Sequence, residues 1–442
     1  MSTSSVERPR TTGRKWRIPG GMAAVAAAGA ALMVIAAGAI LAISPPDRSD
    51  AADRGVLRTY ASAPTAAWTL DDVDLPGATG NGSVRVAATD GDDWLIEYAV
   101  GIKSTFLLVD GRTGHPRWDT PLDAGFGDCA IAEHHRIGCA IRLGIDGPEN
   151  GFYLIDRDTG EGTKIADESG TASVTGFGDG FVLINQSGYQ VSMLTPTGDV
   201  RWSRTFADAA TARAAGPLLI IETSDGGRFV VDPADGSDQV SCTRCEITEY
   251  ASGVAVTRTA DGREAVEFHP VTGSTVAADP VRTIRRAAVV RGPSTLPVVT
   301  AAGPGSVLAD NGRYRIIDPA DGGTVWQIRD PELSKVHARP CGDVVSLARK
   351  DRSRRFFDLR EGVGRGSTPP PAFGDPESDI DNAACVGASD SVAVFATPNR
   401  LTAYGVDSGD RRWTRPLLGS VHNVDGYLVL SEGSTLTRLR PN

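Results

Sequence analysis

The stretch FLLVDGRTGHPRW at residues 106–118 decides the fold of this chain. Its first four residues are apolar and include an aromatic and a β-branched side chain, the composition of a buried strand. Asp110 stands four residues before Gly114. At that spacing its carboxylate reaches the amides of a tight turn, while the glycine takes up a positive φ. Four residues further on, Trp118 restarts an apolar strand. The segment reads as a strand–turn–strand hairpin with a tryptophan docking point.

The hairpin recurs as FYLIDRDTGEGTK (152–164), VSMLTPTGDVRW (191–202), FVVDPADGSDQV (229–240) and VEFHPVTGSTV (266–276). It returns as YRIIDPADGGTVW (314–326), RFFDLREGVG (355–364) and LTAYGVDSGDRRW (401–413). The pivots are Gly114, Gly160, Gly198, Gly236, Gly273, Gly322, Gly362 and Gly409, spaced by 37 to 49 residues. A period in this range marks a solenoid, propeller or array. The turn aspartate is present as Asp110, Asp156, Asp232, Asp318 and Asp358, and the tryptophan as Trp118, Trp202, Trp326 and Trp413. A catalytic carboxylate is needed once, so aspartates repeated in copy after copy read as turn-capping groups. The tryptophans read as packing between repeats rather than as a platform for sugars or bases.

Between hairpins lie further short strands: residues 171–194 hold three strand-like runs parted by Gly-Asp-Gly and Gln-Ser-Gly. Four antiparallel strands per repeat make a propeller blade, so the fold class is all-β, a β-propeller over residues 66–442. Eight hairpins imply eight blades. The last residues, 419–439, add three strand-like runs, and a lone strand around Trp68 supplies a fourth that closes the ring and removes its exposed edges. Counted naively that makes nine. We expect eight, taking one weak repeat within 274–304 as miscounted.

The pattern D-x-x-[T/D/E/S]-G-x-x-x-W after an aromatic or aliphatic strand resembles the repeat of the PQQ-like, quinoprotein alcohol dehydrogenase-like β-propellers, over about residues 66–440. The resemblance implies an eight-bladed ring. The family's enzymes bind PQQ beside a disulfide of adjacent cysteines and a calcium ion held by Glu, Asn and Asp. This sequence has no Cys-Cys pair, and no motif matches the calcium ligands. The resemblance therefore carries the fold, and no cofactor or metal is expected. A non-catalytic lipoprotein scaffold of the bacterial outer-membrane assembly machine shares that fold.

Residues 21–43 read GMAAVAAAGAALMVIAAGAILAI, without a charge. As a helix this run spans a hydrocarbon core of about 30 Å, and Pro45-Pro46 ends it. It exceeds the apolar core of a cleaved signal peptide, so an uncleaved anchor is expected. Before Gly21 the chain carries a net of +4, leaving −14 for the remainder of a chain whose net is −10. The basic residues 1–20 keep that end in the cytoplasm and send the rest across. Residues 44–65 are expected as a flexible stalk. An exported domain this acidic repels phosphate backbones over most of its surface, which argues against nucleic acid as a partner.

Six cysteines in an exported domain read as disulfides. Cys129 and Cys139 flank His134 symmetrically and would face each other across a hairpin. Cys242 and Cys245 form C-T-R-C with strand-like flanks, unlike a redox motif at a helix N-terminus. Cys341 and Cys385 precede similar strands in neighbouring repeats and would staple two blades. His134-His135 reads as an exposed turn rather than a metal site. Arg282, Arg285 and Arg286 make a small basic cluster, with Arg291 nearby. No G-x-S-x-G, H-E-x-x-H or P-loop pattern occurs. The expected function is a membrane-anchored extracytoplasmic binding or scaffold module for envelope proteins or polymers. The alternative is an enzyme using the propeller funnel, a quinone-dependent dehydrogenase or a carbohydrate-active hydrolase or lyase.

Overall fold

The strands with the longest apolar runs are buried on both faces. Asp93–Val100 (DWLIEYAV), Gly180–Asn185 (GFVLIN) and Leu218–Thr223 (LLIIET) are each second in their sheet and bury successive side chains. A strand covered on both sides cannot alternate with polar residues, so its neighbours must be sheets stacked face to face. The outermost strands read differently. In Val200–Thr205 and Arg411–Pro416 a single side chain is buried, Trp202 and Trp413 respectively. Inner strands therefore hold the core, and outer strands dock through one tryptophan each.

The structure, a computed structural model, describes residues 54–442 apart from 79, 81, 143–147, 166–169, 261–262, 302–311 and 334–337. The expected anchor at 21–43 and the basic residues 1–20 lie outside the described residues. No helix among the described residues is long and apolar enough to cross a membrane. The helices among them are short 3-10 turns, such as Asp72–Asp74 and Ile380–Asn382.

Among the described residues the strands form nine antiparallel sheets. We number them as blades 1 to 8 over 84–125, 128–165, 171–205, 210–243, 246–285, 287–329, 339–368 and 384–416. Blade 9 combines Ser420–Val424, Tyr427–Glu432 and Thr435–Leu439 with the N-terminal strand Ala66–Asp71. Leu70 pairs with Leu436 and Thr69 with Thr437, which joins the two ends of the chain and closes the ring. Each blade runs from a first strand at the centre to a fourth at the rim.

The expected count of eight is thus corrected to nine. Each covalent turn between third and fourth strands belongs to a blade made from one continuous segment. The closing blade draws those two strands from opposite ends of the chain, so it has no such turn. Eight hairpins accordingly accompany nine blades. The described part of the region suspected of a miscount, residues 274–301, holds paired strands. Blade 5 turns at Gly273, forms the two-residue strand Thr275–Val276, and then lays Arg282–Arg285 beside the same neighbouring strand. Blade 6 begins directly after it at Ala287–Val289.

The expectation of a flexible stalk at 44–65 is also corrected for its described part. From Arg54 onward this segment is docked on the propeller, with Leu57 and Tyr60 fully buried against blades 8 and 9.

Candidate functional site

The repeated turn is built as its chemistry demands. The carboxylate of Asp110 accepts from the amides of Arg112 and Thr113 at 3.1 and 3.0 Å. Asp156, Asp232, Asp318 and Asp358 accept turn amides in the same way. Burial alone would raise the Asp110 carboxyl, but the Thr113 and Arg112 hydrogen bonds and Arg117 hold it below the usual range. The pivots from Gly114 to Gly409 all take positive φ, between 59° and 90°.

Each turn also receives the preceding blade. The indole N–H of Trp118 donates to the carbonyl of Arg157 at 2.7 Å, one residue after the turn aspartate of blade 2. Trp202 reaches Pro233 and Trp326 reaches Leu359 in the same manner, at 3.0 and 2.7 Å. Trp68, which sequence reasoning placed only in a closing strand, reaches Gly111 of blade 1 at 2.8 Å. The indole lies over the pivot glycine: a Cβ on Gly160 would come within 3.1 Å of the Trp118 ring. Where a blade lacks the tryptophan, another group takes its place. Ile165 lies against Gly198, Arg282 against Gly322, and Gln239 binds the backbone of Ser274 and Val276.

Trp413 has no third-to-fourth-strand turn to meet, because blade 9 lacks one. Its indole donates instead to the carbonyl of Tyr60 at 2.8 Å. The Tyr60 hydroxyl accepts from the Leu428 amide at 2.9 Å and donates to the Leu439 carbonyl at 3.3 Å. Sequence patterning gives no signal for this, since Tyr60 belongs to no repeat.

Upstream of Tyr60 the chain runs along the inner ends of several blades. Arg54 donates to the Glu249 carbonyl of blade 5 at 3.0 Å. Gly55 and Leu57 bond Ala388 of blade 8, and Arg58 bonds Gly426 of blade 9. Gly55 also lies against Pro293 of blade 6 and Gly342 of blade 7, so the segment follows the inner ends of blades 6 to 9 while the Arg54 side chain reaches on to blade 5. All these contacts are made to the ends of first strands or to the turns that follow them, so they define one face of the propeller. We call it the strap face. The turns carrying the aspartates lie on the same face.

Charges on the innermost strands are matched locally. Arg213 clamps Glu249 with two bonds of 2.9 Å, and burial, which would raise that carboxyl, is outweighed by Arg213 and Arg54. Arg85 binds Glu97 at 2.7 Å. Asp128 lies close by, where burial and then the Glu97 charge push its carboxyl up to about 7.

The three disulfides are Cys129–Cys139, Cys242–Cys245 and Cys341–Cys385. The first joins directly opposed residues of one hairpin, and the third links the first strands of blades 7 and 8. His134 and His135 occupy left-handed conformations at the tip of the blade 2 hairpin. The His135 ring lies 3.0 Å from the buried carboxylate of Asp93, which also meets Arg117 and Arg157. His135 thus serves the joint between blades 1 and 2. No group of three or more His, Cys, Asp or Glu side chains suited to a metal ion occurs among the described residues.

Exposed large apolar side chains are distributed unevenly. Val73, Phe126, Phe373 and Leu418 sit in connections between blades, while Ile102 and Tyr189 sit in turns between second and third strands. Both kinds of connection lie on the face opposite the strap. Of the other four, all valines, Val200 and Val325 stand at the strap-face ends of outer strands, Val363 lies in a strap-face turn, and Val281 lies beside an outer strand. The six follow an arc from the blade 7–8 connection, through blades 9 and 1, to blade 3.

No family model matches the chain. No curated protein sequence matches it. Among solved structures it is similar to BamB from Moraxella catarrhalis, at 15% identity over 86% of this chain and 98% of that one, with a TM-score of 0.42. It is also similar to the computationally designed Ika8 protein, at 13% identity over 71% of this chain and 95% of that one, with a TM-score of 0.34. Both similarities are distant.

Proposed function

We propose that this chain is a membrane-anchored extracytoplasmic binding module that docks a partner protein on the face opposite the strap. The observation that carries the reading is the arc of Phe373, Leu418, Val73, Ile102, Phe126 and Tyr189, six exposed apolar side chains on one face. Scattered single exposures are ordinary, but a one-sided set of large ones is the signature of an interaction surface. Aromatic and aliphatic groups on short, well-anchored turns lose little conformational entropy on binding.

The test is site-specific photocrosslinking in intact membranes. A crosslinker at Phe126, Leu418 or Phe373 should yield discrete protein adducts, and one at Val363 should not. Equal adducts from both faces, or none from the apolar face, would remove the basis for the proposal.

A further inference from the structure

The outer part of the ring between blades 5 and 6 carries charge that the fold does not use. A cleft of about 840 Å³ opens there, lined by Glu267, Arg282 and Arg285 from blade 5 and by Arg315 from blade 6. Arg282 is occupied, donating to the Gly322 carbonyl and the Thr324 hydroxyl. Glu267 is taken by Arg258 at 2.7 Å. Arg285 and Arg315 have no acidic partner among the described residues, and neither have Arg313 and Arg329 of blade 6.

The placement of these last two is informative. Arg313 stands directly opposite Arg329 across the third and fourth strands of blade 6, and both are exposed. Like charges in directly opposed positions destabilise a sheet. Arg315 projects from the same face two residues along. Other arginines of the propeller do meet carboxylates, as with Arg213 and Glu249 or Arg400 and Asp375. These residues form a self-repelling group of cations in a strongly acidic domain.

We infer that this cleft binds an extended anionic polymer bearing phosphate groups. A guanidinium presents paired donors that match two phosphate oxygens. The site is an open trough rather than an enclosed pocket, with Ala265 and Ile284 as its aliphatic members. That shape suits a chain of repeated charges better than a lipid tail. The cleft lies outside the apolar arc, so it stands or falls independently of protein docking on that face.

The experiment uses the full chain in phosphatidylcholine nanodiscs and labelled long-chain polyphosphate, read by fluorescence anisotropy. Binding should be saturable and weaken as salt is raised. It should fall about tenfold or more when Arg313→Ala and Arg315→Ala are combined. Arg329→Glu guards against misfolding as an explanation: it replaces the like-charge pair by an ion pair with Arg313. Its melting temperature should hold or rise while polyphosphate affinity drops. Unchanged affinity in these variants overturns the inference. So does equal binding of uncharged dextran, or binding of phosphatidylglycerol vesicles without binding of polyphosphate.

Discussion

Tyr60→Phe tests whether the N-terminal segment is an integral part of ring closure. Tyr60 is fully buried, and its hydroxyl accepts from the Leu428 amide and donates to the Leu439 carbonyl. Phenylalanine keeps the ring and the backbone carbonyl that Trp413 uses, but leaves a buried amide without its acceptor. Stranding such a group costs about 1–3 kcal/mol. Urea unfolding followed by tryptophan fluorescence should show that loss, and hydrogen exchange should quicken at Leu428. A second arm uses pH. Burial pushes the Tyr60 phenol up to about 12, above the value of about 10 for an unfolded tyrosine. The neutral phenol is therefore favoured in the folded state. Its contribution is complete below pH of about 10 and is lost as pH rises through the folded value. Two pKa units correspond to about 3 kcal/mol. The difference in stability between parent and Tyr60→Phe should accordingly narrow from neutral to strongly alkaline pH. A variant as stable as its parent, with Leu428 equally protected, would refute the docked strap.

The blade lock predicts that Trp118→Phe loses about 1 kcal/mol through its indole hydrogen bond. Gly160→Ala should cost more in the same chemical-denaturation series, because its φ is +77° and the new Cβ meets the Trp118 ring. Asp128→Asn should gain stability over its parent as pH rises. The parent carboxyl has a folded pKa of about 7, above its unfolded value, so its contribution is full at acid pH and lost as pH rises through 7. Melting temperatures of both proteins at pH 4 and pH 8 give the comparison. Removing Cys341–Cys385, whose cysteines are 44 residues apart, should cost about 4 kcal/mol by loop-closure entropy. Removing Cys129–Cys139, with a separation of 10, should cost about 3 kcal/mol on the same basis. Denaturant midpoints of the paired serine variants check the order.

Much of the architecture was legible without coordinates. Turn chemistry is local: Asp110 and Gly114 must lie four residues apart, so the hairpin repeats as a string that can be counted. The closing strand around Trp68 was legible too, because a strand left over at one end answers three left over at the other. The blade count was harder. Eight hairpins were visible, and nine blades required knowing that the closing blade contributes none. The site was least legible. Tyr60 and Arg54 carry no repeat signature, and the arc from Phe373 to Tyr189 is spread over more than 300 positions of the chain.

A ring of four-stranded blades is written in the residue order, because strand periodicity, turn glycines and docking tryptophans act over a few residues and leave a readable spacing. Tertiary structure alone decided that Trp413 closes on Tyr60, that the segment from Arg54 lies along one face, and that six exposed apolar side chains share the other. Those facts depend on which blades become neighbours when the ring shuts, and ring closure joins residues such as Trp68 and Arg438 that no local pattern connects.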